Sequence, residues 1–515
     1  MSAALARVDT TGESADAAYF GVKGYLHSTE AHGMSHSDLE REIEKQLREV
    51  ARRLLQEHLD ARGDGEALSE VTGADGTKRT KARVHTRKLE TIFGTVYVDR
   101  LGYGADGVES LHPKDASLNL PDETYSLEVR RRVAEEVARS SFEEAVAAVE
   151  RTTGAHVPKR QAEELAERAA TDFDAFYEHR RSESATGTAT GEVLVVSFDG
   201  KGVVMRREDL REATRKAAQA RTHKLKTRLT RGEKRNAKRM ATVAAVYTVA
   251  PFPRRPEQII GELAGITDAG ERRPRPEDKR VMASLEKTTA EVMTEIFADA
   301  LHRDPERSRT WVAVVDGDKK QLRLLKQQAR EHQLDLTIVL DLIHVAEYLW
   351  KAGVAFHPAG TPQLETWVQE RLLRILQGRS SLVAAGMRRS ATRRGLEAAA
   401  RKPVDTCANY LLKHRPYLRY DDFLARGLPI ASGVIEGACR HLIKDRMDLT
   451  GARWSLAGAE AVLRLRAIHS SNDFDDYWKF HETQEYQRNH ASRYADGAVP
   501  EVKSPRRRRN LKVVK

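Results

Sequence analysis

Two apolar runs each deliver an aspartate followed by glycine: Val195-Val196-Ser197-Phe198-Asp199-Gly200 and Ala313-Val314-Val315-Asp316-Gly317-Asp318. In open α/β sheets the strand ends are where ligands bind, and a glycine beside a carboxylate lets other groups approach closely. Asp-Gly is also a common turn, so one such end alone is more often a turn than a site. Two of them in one predicted sheet suggest a pair of metal-ligating carboxylates. Two hard divalent cations about 3.5–4 Å apart need several oxygen ligands, so a third carboxylate is required. Asp341, which ends the run Leu336–Leu340 and precedes Leu342-Ile343-His344, is one candidate. Glu436 is the other, on a predicted amphipathic helix starting near Ser432, with Arg440 and Lys444 at i+4 and i+8 on the same face. A surface Glu–Arg–Lys ladder has the same spacing. Against that, Ser432-Gly433 and Gly437-Ala438 leave little bulk beside Glu436, as approach of a phosphodiester would need.

The elements that must hold these residues alternate. Val193–Phe198, Ala241–Val249, Trp311–Val315 and Leu336–Leu340 read as strands, and Ser284–His302, Gln321–Gln333 and the run from His344 as helices. That order predicts an α/β fold with a mixed sheet flanked by helices. A mostly helical stretch, 361–419, carries the basic cluster Arg388, Arg389, Arg393 and Arg394 and reads as an insertion before the sheet domain resumes at Gly427. Upstream, apolar residues at spacings of three and four predict a helix over His36–Ala61, and 84–103 reads as a basic hairpin turning at Gly94-Thr95. Within the helical block 125–180, one helix opens at Ser141-Phe142, breaks at Thr152-Thr153-Gly154, and gives way to another headed by Lys159, Arg160 and Gln161. This is the pattern of a helix-turn-helix whose second helix could enter a major groove, though taken alone it is more often that of an ordinary helical hairpin.

The expected division is therefore a loose leader (1–35), a helix-plus-hairpin region (36–120), a helix-turn-helix-like region (121–181) and a small-residue linker (182–190). A sheet domain follows in two parts, 191–345 and 428–472, split by the helical insertion 346–427 and followed by a polar, basic tail, 473–515.

Composition narrows the function classes. The 515 residues carry a formal charge of +11, with +10 concentrated between Arg206 and Arg239 and +7 between Lys503 and Lys515, which leaves the remainder at −6. Concentrated basic segments point to a polyanionic partner. Two cysteines, Cys407 and Cys439, allow neither a disulfide framework nor a four-cysteine zinc site, so a reduced, cytoplasmic protein is expected. Neither a membrane span nor a secretory signal is supported by the hydropathy pattern.

Several ordered motifs carry a resemblance: Phe-Asp-Gly-Lys-Gly (198–202), Val-Val-Asp-Gly-Asp (314–318), Asp-Leu-Ile-His (341–344), Leu-Pro-Ile-Ala-Ser-Gly-Val-Ile-Glu-Gly-Ala-Cys-Arg (428–440) and Asp-Arg-Met-Asp-Leu-Thr-Gly-Ala-Arg-Trp (445–454). Over about residues 85 to 485 the chain resembles the ISKra group of bacterial insertion-sequence transposases. More broadly it is similar to Mutator-like DDE enzymes with a ribonuclease-H-like core. The resemblance implies a catalytic triad of Asp199, Asp316 and Glu436, spaced by 117 and 120 residues, with the group's Asp-x-x-His signature on Asp341 and His344. In one respect the chain departs from related groups: the Tyr and Arg that precede the glutamate in some of them are absent, Pro429 and Ser432 standing there.

Two Mg²⁺ ions (Mn²⁺ as a substitute) are the implied cofactors, with Asp341 the alternative third ligand. DNA, as element terminal inverted repeats and target, is the implied partner of a homodimer or higher homo-oligomer associated with the bacterial nucleoid. Phosphate or base contacts are expected from Lys159, Arg160, Gln161, Lys201, Arg228, Arg231, Lys234, Arg235, Arg440, Lys444 and Arg453. His344 would either meet the scissile phosphate or orient Asp341, and Trp454 would either stack on an unpaired base or belong to the core. The expected activity is metal-dependent DNA cleavage and strand transfer. A nuclease without strand transfer and a catalytically idle DNA-binding regulator are the alternatives.

Overall fold

A computed structural model describes residues 14–183, 191–219, 237–266 and 273–503. The chain divides into two units, Met1–Asp172 with Asp475–Lys515, and Phe173–Phe474. The boundary thus falls ahead of the predicted linker, because the helix Phe173–Ser182 packs with the second unit: Lys287 reaches Asp174 and Arg181 reaches Asp299. Residues 184–190 of that linker lie outside the described residues.

In the first unit, helix α1 (His36–Ala61) spans the predicted range, capped by Ser35. Residues 1–13 of the expected leader lie outside the described residues, and its described part is helical as well. Ala15–Leu26 begins on a Ser14 cap and buries Ala15 and Val22, and the Ala15 amide donates to Glu57 of α1. Strands β1 (Lys81–Thr91), β2 (Gly94–Ala105) and β3 (Val108–Leu111) form an antiparallel sheet, with Thr91 facing Gly94, so the turn is Ile92-Phe93 rather than Gly94-Thr95. Gly94 adopts φ +117°, a conformation glycine tolerates without a Cβ penalty. Leu89, Val96 and Val98 of this sheet pack with Leu59 of α1.

Helices α2 (Leu127–Arg139), α3 (Phe142–Thr152) and α4 (Lys159–Ala169) bury Val129, Val133, Val149, Leu165 and Ala169. A capping box between Ser141 and Glu144 starts α3. The α3–α4 connection is pinned to the hairpin tip: the Gly154 amide donates to the Ile92 carbonyl at 2.7 Å.

The expected polar tail is instead a helix, Phe474–Asn489. Its buried stripe reads Tyr477, His481, Glu485 and Asn489, all four residues apart, so the inward face is polar and hydropathy conceals it. The polar groups are satisfied: His481 Nδ1 lies 2.7 Å from Asp172, Glu485 pairs with buried Arg130 at 2.7 Å, and the Tyr477 hydroxyl donates to the Ala169 carbonyl at 2.6 Å. Residues 504–515, the basic end of that tail, lie outside the described residues.

The second unit is built on a five-stranded mixed sheet. In chain order its strands are β4 (Val193–Val204), β5 (Lys238–Val249), β6 (Glu277–Ser284), β7 (Thr310–Val315) and β8 (Leu336–Leu340), and their order across the sheet is β8-β7-β4-β5-β6. Strands β4, β5 and β6 are antiparallel to one another in succession, whereas β7 and β8 run parallel to β4. Helices α5 (Thr289–Arg303), α6 (Lys319–Glu331) and α7 (Leu342–Gly353) alternate with the strands from β6 onward.

The predicted insertion is helical, as α8 (Pro362–Leu376), α9 (Ser380–Arg393) and α10 (Ala398–Lys413). Its Trp367, Leu372, Val404 and Leu411 share one apolar cluster with Val312, Val314 and Val339 of the sheet. Helices α11 (Gly433–Ala438) and α12 (Leu456–Ser470) complete the unit. Among the described residues no helix is long and apolar enough to cross a membrane.

A Cβ on Gly154 would sit 2.6 Å from the Phe93 carbonyl carbon, inside any real contact. Gly154→Ala is therefore expected to destabilise the protein by about 1–3 kcal/mol through forced backbone shifts. Denaturant unfolding checks this, and an unchanged midpoint would show that the α3–α4 turn does not press on the hairpin.

Candidate active site

Strand register brings the aspartates level. Along the parallel β4/β7 pair Ser197 faces Val314, so Asp199 and Asp316, each two residues further on, emerge at the same height and with the same side-chain parity. Leu340 faces Val315 along β7/β8, so Asp341 follows at that height on the next strand. The three carboxylates thus stand level on three neighbouring strands.

Their surroundings differ. Contrary to expectation, β4 does not end at Asp199-Gly200; it continues to Val204, with Asp199 paired to Val243 and Gly200 to Thr242 of β5. Asp199 is half-buried, and its Oδ2 accepts from the Cys439 thiol at 3.1 Å. Asp316 does end its strand. Gly317 turns the chain at φ +92°, where a Cβ would lie 2.8 Å from Leu340 Cδ1, and Asp318 caps α6 by accepting from the Lys320 and Gln321 amides. The Tyr410 hydroxyl of the insertion donates to the Asp316 backbone carbonyl at 2.8 Å, holding this turn in place.

Asp341 is 1 % exposed and already satisfied. It caps α7 through the Ile343 amide (3.0 Å), accepts from the Ser432 amide (3.3 Å) and Ser432 hydroxyl, and lies 3.3 Å from His344 Nδ1. Both of its oxygens are engaged by protein donors. Asp199 has one donor at each oxygen, the Gly200 amide (2.6 Å) and the Cys439 thiol, and Asp316 accepts from the Asp318 amide (2.9 Å), but both stay half-buried and open to the cleft. The four contacts and near-complete burial of Asp341 favour it as a residue that holds α7, Ser432 and His344 together.

Glu436 lies exposed on α11, lining with Asp199, Asp316 and His344 a cleft of about 420 Å³. Lys201, Arg440 and Lys444 line the same cleft, and Arg453 is exposed on the segment that follows. The helix bearing Glu436 is not a plain α-helix: Cys439–Lys444 forms a π-helical stretch before α-helix resumes at Asp445–Met447. Such stretches shift side chains out of α-helical register and leave carbonyls in need of donors. Arg466 of α12 supplies them, donating to the carbonyls of His441 and of Leu442 (3.0 Å). Arg440 reaches Asp445 at 3.6 Å, at a site exposed enough for a phosphate to compete.

Electrostatics set two of the carboxyls apart by burial and mutual repulsion. Burial, with Asp199 and Asp318 nearby, raises the Asp316 carboxyl above its ordinary value of 3.8. Burial, then Asp341, Asp199 and Glu347, raises Glu436 above 4.5. His344 is pushed up to about 8, first by its hydrogen bond to Asp341. Burial and the Asp199 charge push the Cys439 thiol up, so it is a donor here and not a nucleophile.

Other expected contacts fall elsewhere. Trp454 is buried, its indole N–H donating to the Met447 carbonyl at 3.2 Å, and its backbone extends the end of β4 by pairing with Met205. Its other face carries the Arg446 guanidinium at 4.9 Å, so no base can stack on it without unpacking the core. Arg228, Arg231, Lys234 and Arg235 lie outside the described residues. Lys159, Arg160 and Gln161 belong to the first unit, where Arg160 (3.3 Å) and Gln161 (3.0 Å) both reach Glu164, leaving Lys159 and Arg160 exposed on the first turn of α4.

Sequence reasoning overlooked Cys439, Ser432 and Tyr410. The spacing of Cys439, three residues after Glu436 on one helix, was the only local sign of its place.

A second acid–imidazole group lies in the first unit. Ligand atoms of Asp172, His481 and Glu485 come within 4.8 Å of one another. Arg488 engages both carboxylates and Arg130 pairs with Glu485, so guanidinium groups already supply the positive charge a metal would bring.

No protein-family model matches the chain. No curated protein matches it either. Among solved structures the chain is similar to a Drosophila P element transposase strand transfer complex, at 10% sequence identity over 71% of this chain and 82% of that chain, with a TM-score of 0.23. A score that low carries no argument for fold or chemistry.

Two outcomes follow from the charge balance. A carboxyl whose folded pKa is raised loses stability as pH climbs through its unfolded and folded values, so at pH 7 the Asp316 charge opposes folding. In metal-free buffer Asp316→Asn is expected to raise the melting temperature, by no more than about 4 °C, while Mg²⁺ stabilises wild type and not the variant. A lowered melting temperature would contradict the repulsion. His344 has the opposite sign: with a folded value of about 8 against 6.5, its contribution is complete below pH 6.5 and lost as pH rises through 8. The gap in melting temperature between wild type and His344→Gln should therefore close by pH 9.

Proposed function

We propose that this chain is a DDE transposase of the ISKra type, acting on the ends of an insertion sequence by DNA cleavage and strand transfer. The observation that carries the reading is the convergence of Asp199, Asp316 and Glu436 on one cleft, two of them level on parallel strands. A mixed sheet flanked by helices and interrupted by a helical insertion before the glutamate is the architecture a ribonuclease-H-like core calls for.

The donor set fits hard divalent cations: carboxylate oxygens only, two with raised pKa values and, among the described residues, no arginine paired to them. Mg²⁺ or Mn²⁺ held by Asp199, Asp316 and Glu436 would supply activation of an attacking hydroxyl and stabilisation of the departing 3′ oxygen. The protein's own part is positioning. Lys201, Arg440 and Lys444 neutralise phosphates beside a cleft that is otherwise acidic and would repel DNA. Asp341 fixes His344 at the rim, where the protonated ring donates to a phosphate oxygen.

The α4 turn with Lys159 and Arg160 is the proposed reader of element ends, and homo-oligomerisation on DNA is part of the proposal. In this reading, attack by water and then by the freed 3′-hydroxyl proceeds without a covalent protein intermediate.

Asp199→Ala, Asp316→Ala and Glu436→Ala are each expected to reduce Mg²⁺-dependent cleavage of an element-end duplex to background while binding it within about threefold of wild type. Retained cleavage by Glu436→Ala would overturn the ligand assignment. Cleavage without joining of a 3′-hydroxyl end to target DNA would reduce the activity to that of a nuclease.

A further inference from the structure

Helix α6 begins three residues after Asp316 and reads Lys-Lys-Gln-Leu-Arg-Leu-Leu-Lys-Gln-Gln-Ala-Arg-Glu. Its Leu322 and Leu325 are buried, and Lys319, Arg323, Lys326 and Arg330 fall at i, i+4, i+7 and i+11, a single exposed row. At 1.5 Å per residue the row is about 16 Å long, the axial run of about five phosphates of one strand.

Two features separate this row from an ordinary solvated face. The first is the absence of carboxylate partners along the whole row. Other helices of this chain pair exposed cations along their length, as in Arg160–Glu164 and Lys351–Glu347. On α6 the lone acid after the cap is Glu331, which accepts from Gln327 and Gln328, and among the described residues none of the four cations has a carboxylate partner.

The second is a built floor. The row borders a cavity of about 390 Å³ that adds Lys413 and His414 from the end of α10, with no acidic residue in its lining. His414 is 2 % exposed, and its Nδ1 has no hydrogen-bond partner. The same ring packs on the catalytic turn: a Cβ on Gly317 would lie 3.1 Å from its Cε1. Groove and proposed metal site therefore share the Asp316-Gly317 turn.

We infer that the groove between α6 and the end of α10 is a phosphodiester track that carries one strand of DNA away from the cleft. Lys319, Arg323, Lys326, Arg330 and Lys413 contact successive phosphates, and His414 Nδ1 hydrogen-bonds a phosphate oxygen. The inference rests on the DNA-processing reading above and adds to it the path of the strand.

The test uses the full chain in the Asp199→Ala background, so that binding is read without cleavage. Binding to a duplex is measured from 50 to 300 mM salt for that protein and for Arg323→Gln/Lys326→Gln/Arg330→Gln/Lys413→Gln, with circular dichroism and melting temperature confirming that the fold is intact. Each lost contact removes about 0.9 from the slope of log K against log [salt], so the loss of four is expected to lower it by about 3.6. A Lys326→Arg/Lys413→Arg variant, which keeps the charge, should keep the slope.

Equal slopes for parent and quadruple variant, in a parent that binds DNA, overturn the track and leave the function untouched. A parent that binds no DNA at all overturns the functional reading on which the track rests. Inorganic triphosphate bound tightly, with the DNA slope unaffected by the four substitutions, would assign the groove to a small anion instead.

Discussion

The register of three parallel strands is the constraint on which the candidate site depends. Ser197 opposite Val314 and Val315 opposite Leu340 set the common height of Asp199, Asp316 and Asp341. Because side chains alternate along a strand, a slip of one residue would turn an aspartate to the other face and scatter the group. The ladder is held by Val195, Val312, Val314 and Val339, which share an apolar cluster with the insertion helices. The insertion is therefore structural support for the register as well as a source of groups near the site, through Tyr410 and His414.

Equal height does not mean equal role. Asp341 meets backbone amides, a serine hydroxyl and an imidazole, which together satisfy its charge in a buried place. Asp316 and Glu436 instead carry charge that burial and neighbouring carboxylates oppose, Asp199 among them. Glu436 comes from a helix whose continuation is π-helical, and Arg466 makes that geometry tolerable by capping the carbonyls it exposes. The charge of the protein follows the same logic, with acid gathered at the cleft and unpaired base on α6 beside it.

The first unit uses buried polar groups in a different way. Lys114, 1 % exposed, donates to the carbonyls of Leu59 (3.1 Å), Gly63 and Asp99 (2.9 Å), tying the end of α1 to β2. Arg130, equally buried, binds Glu123 and Glu485. Breaking either set would strand a charge in the interior, so these links tolerate substitution poorly. Hydropathy does not reveal them: it predicts a polar tail where the helix Phe474–Asn489 stands, because half of the inward stripe is ionisable.

The sequence by itself determined the strands that carry Asp199, Asp316 and Asp341, the helix of Glu436, the helical insertion and the α3–α4 break, since apolar runs, periodicity and turn residues are local properties. The tertiary structure alone decided that β4 runs on past Asp199, that Trp454 is core, that Asp341 is saturated by Ser432 from 91 positions away, and that α6 lies beside His414. The physical reason is common to all four. Burial and hydrogen-bond satisfaction are set by partners remote in the chain, and a residue's type and spacing say what it is able to do but not which neighbours will already have claimed it.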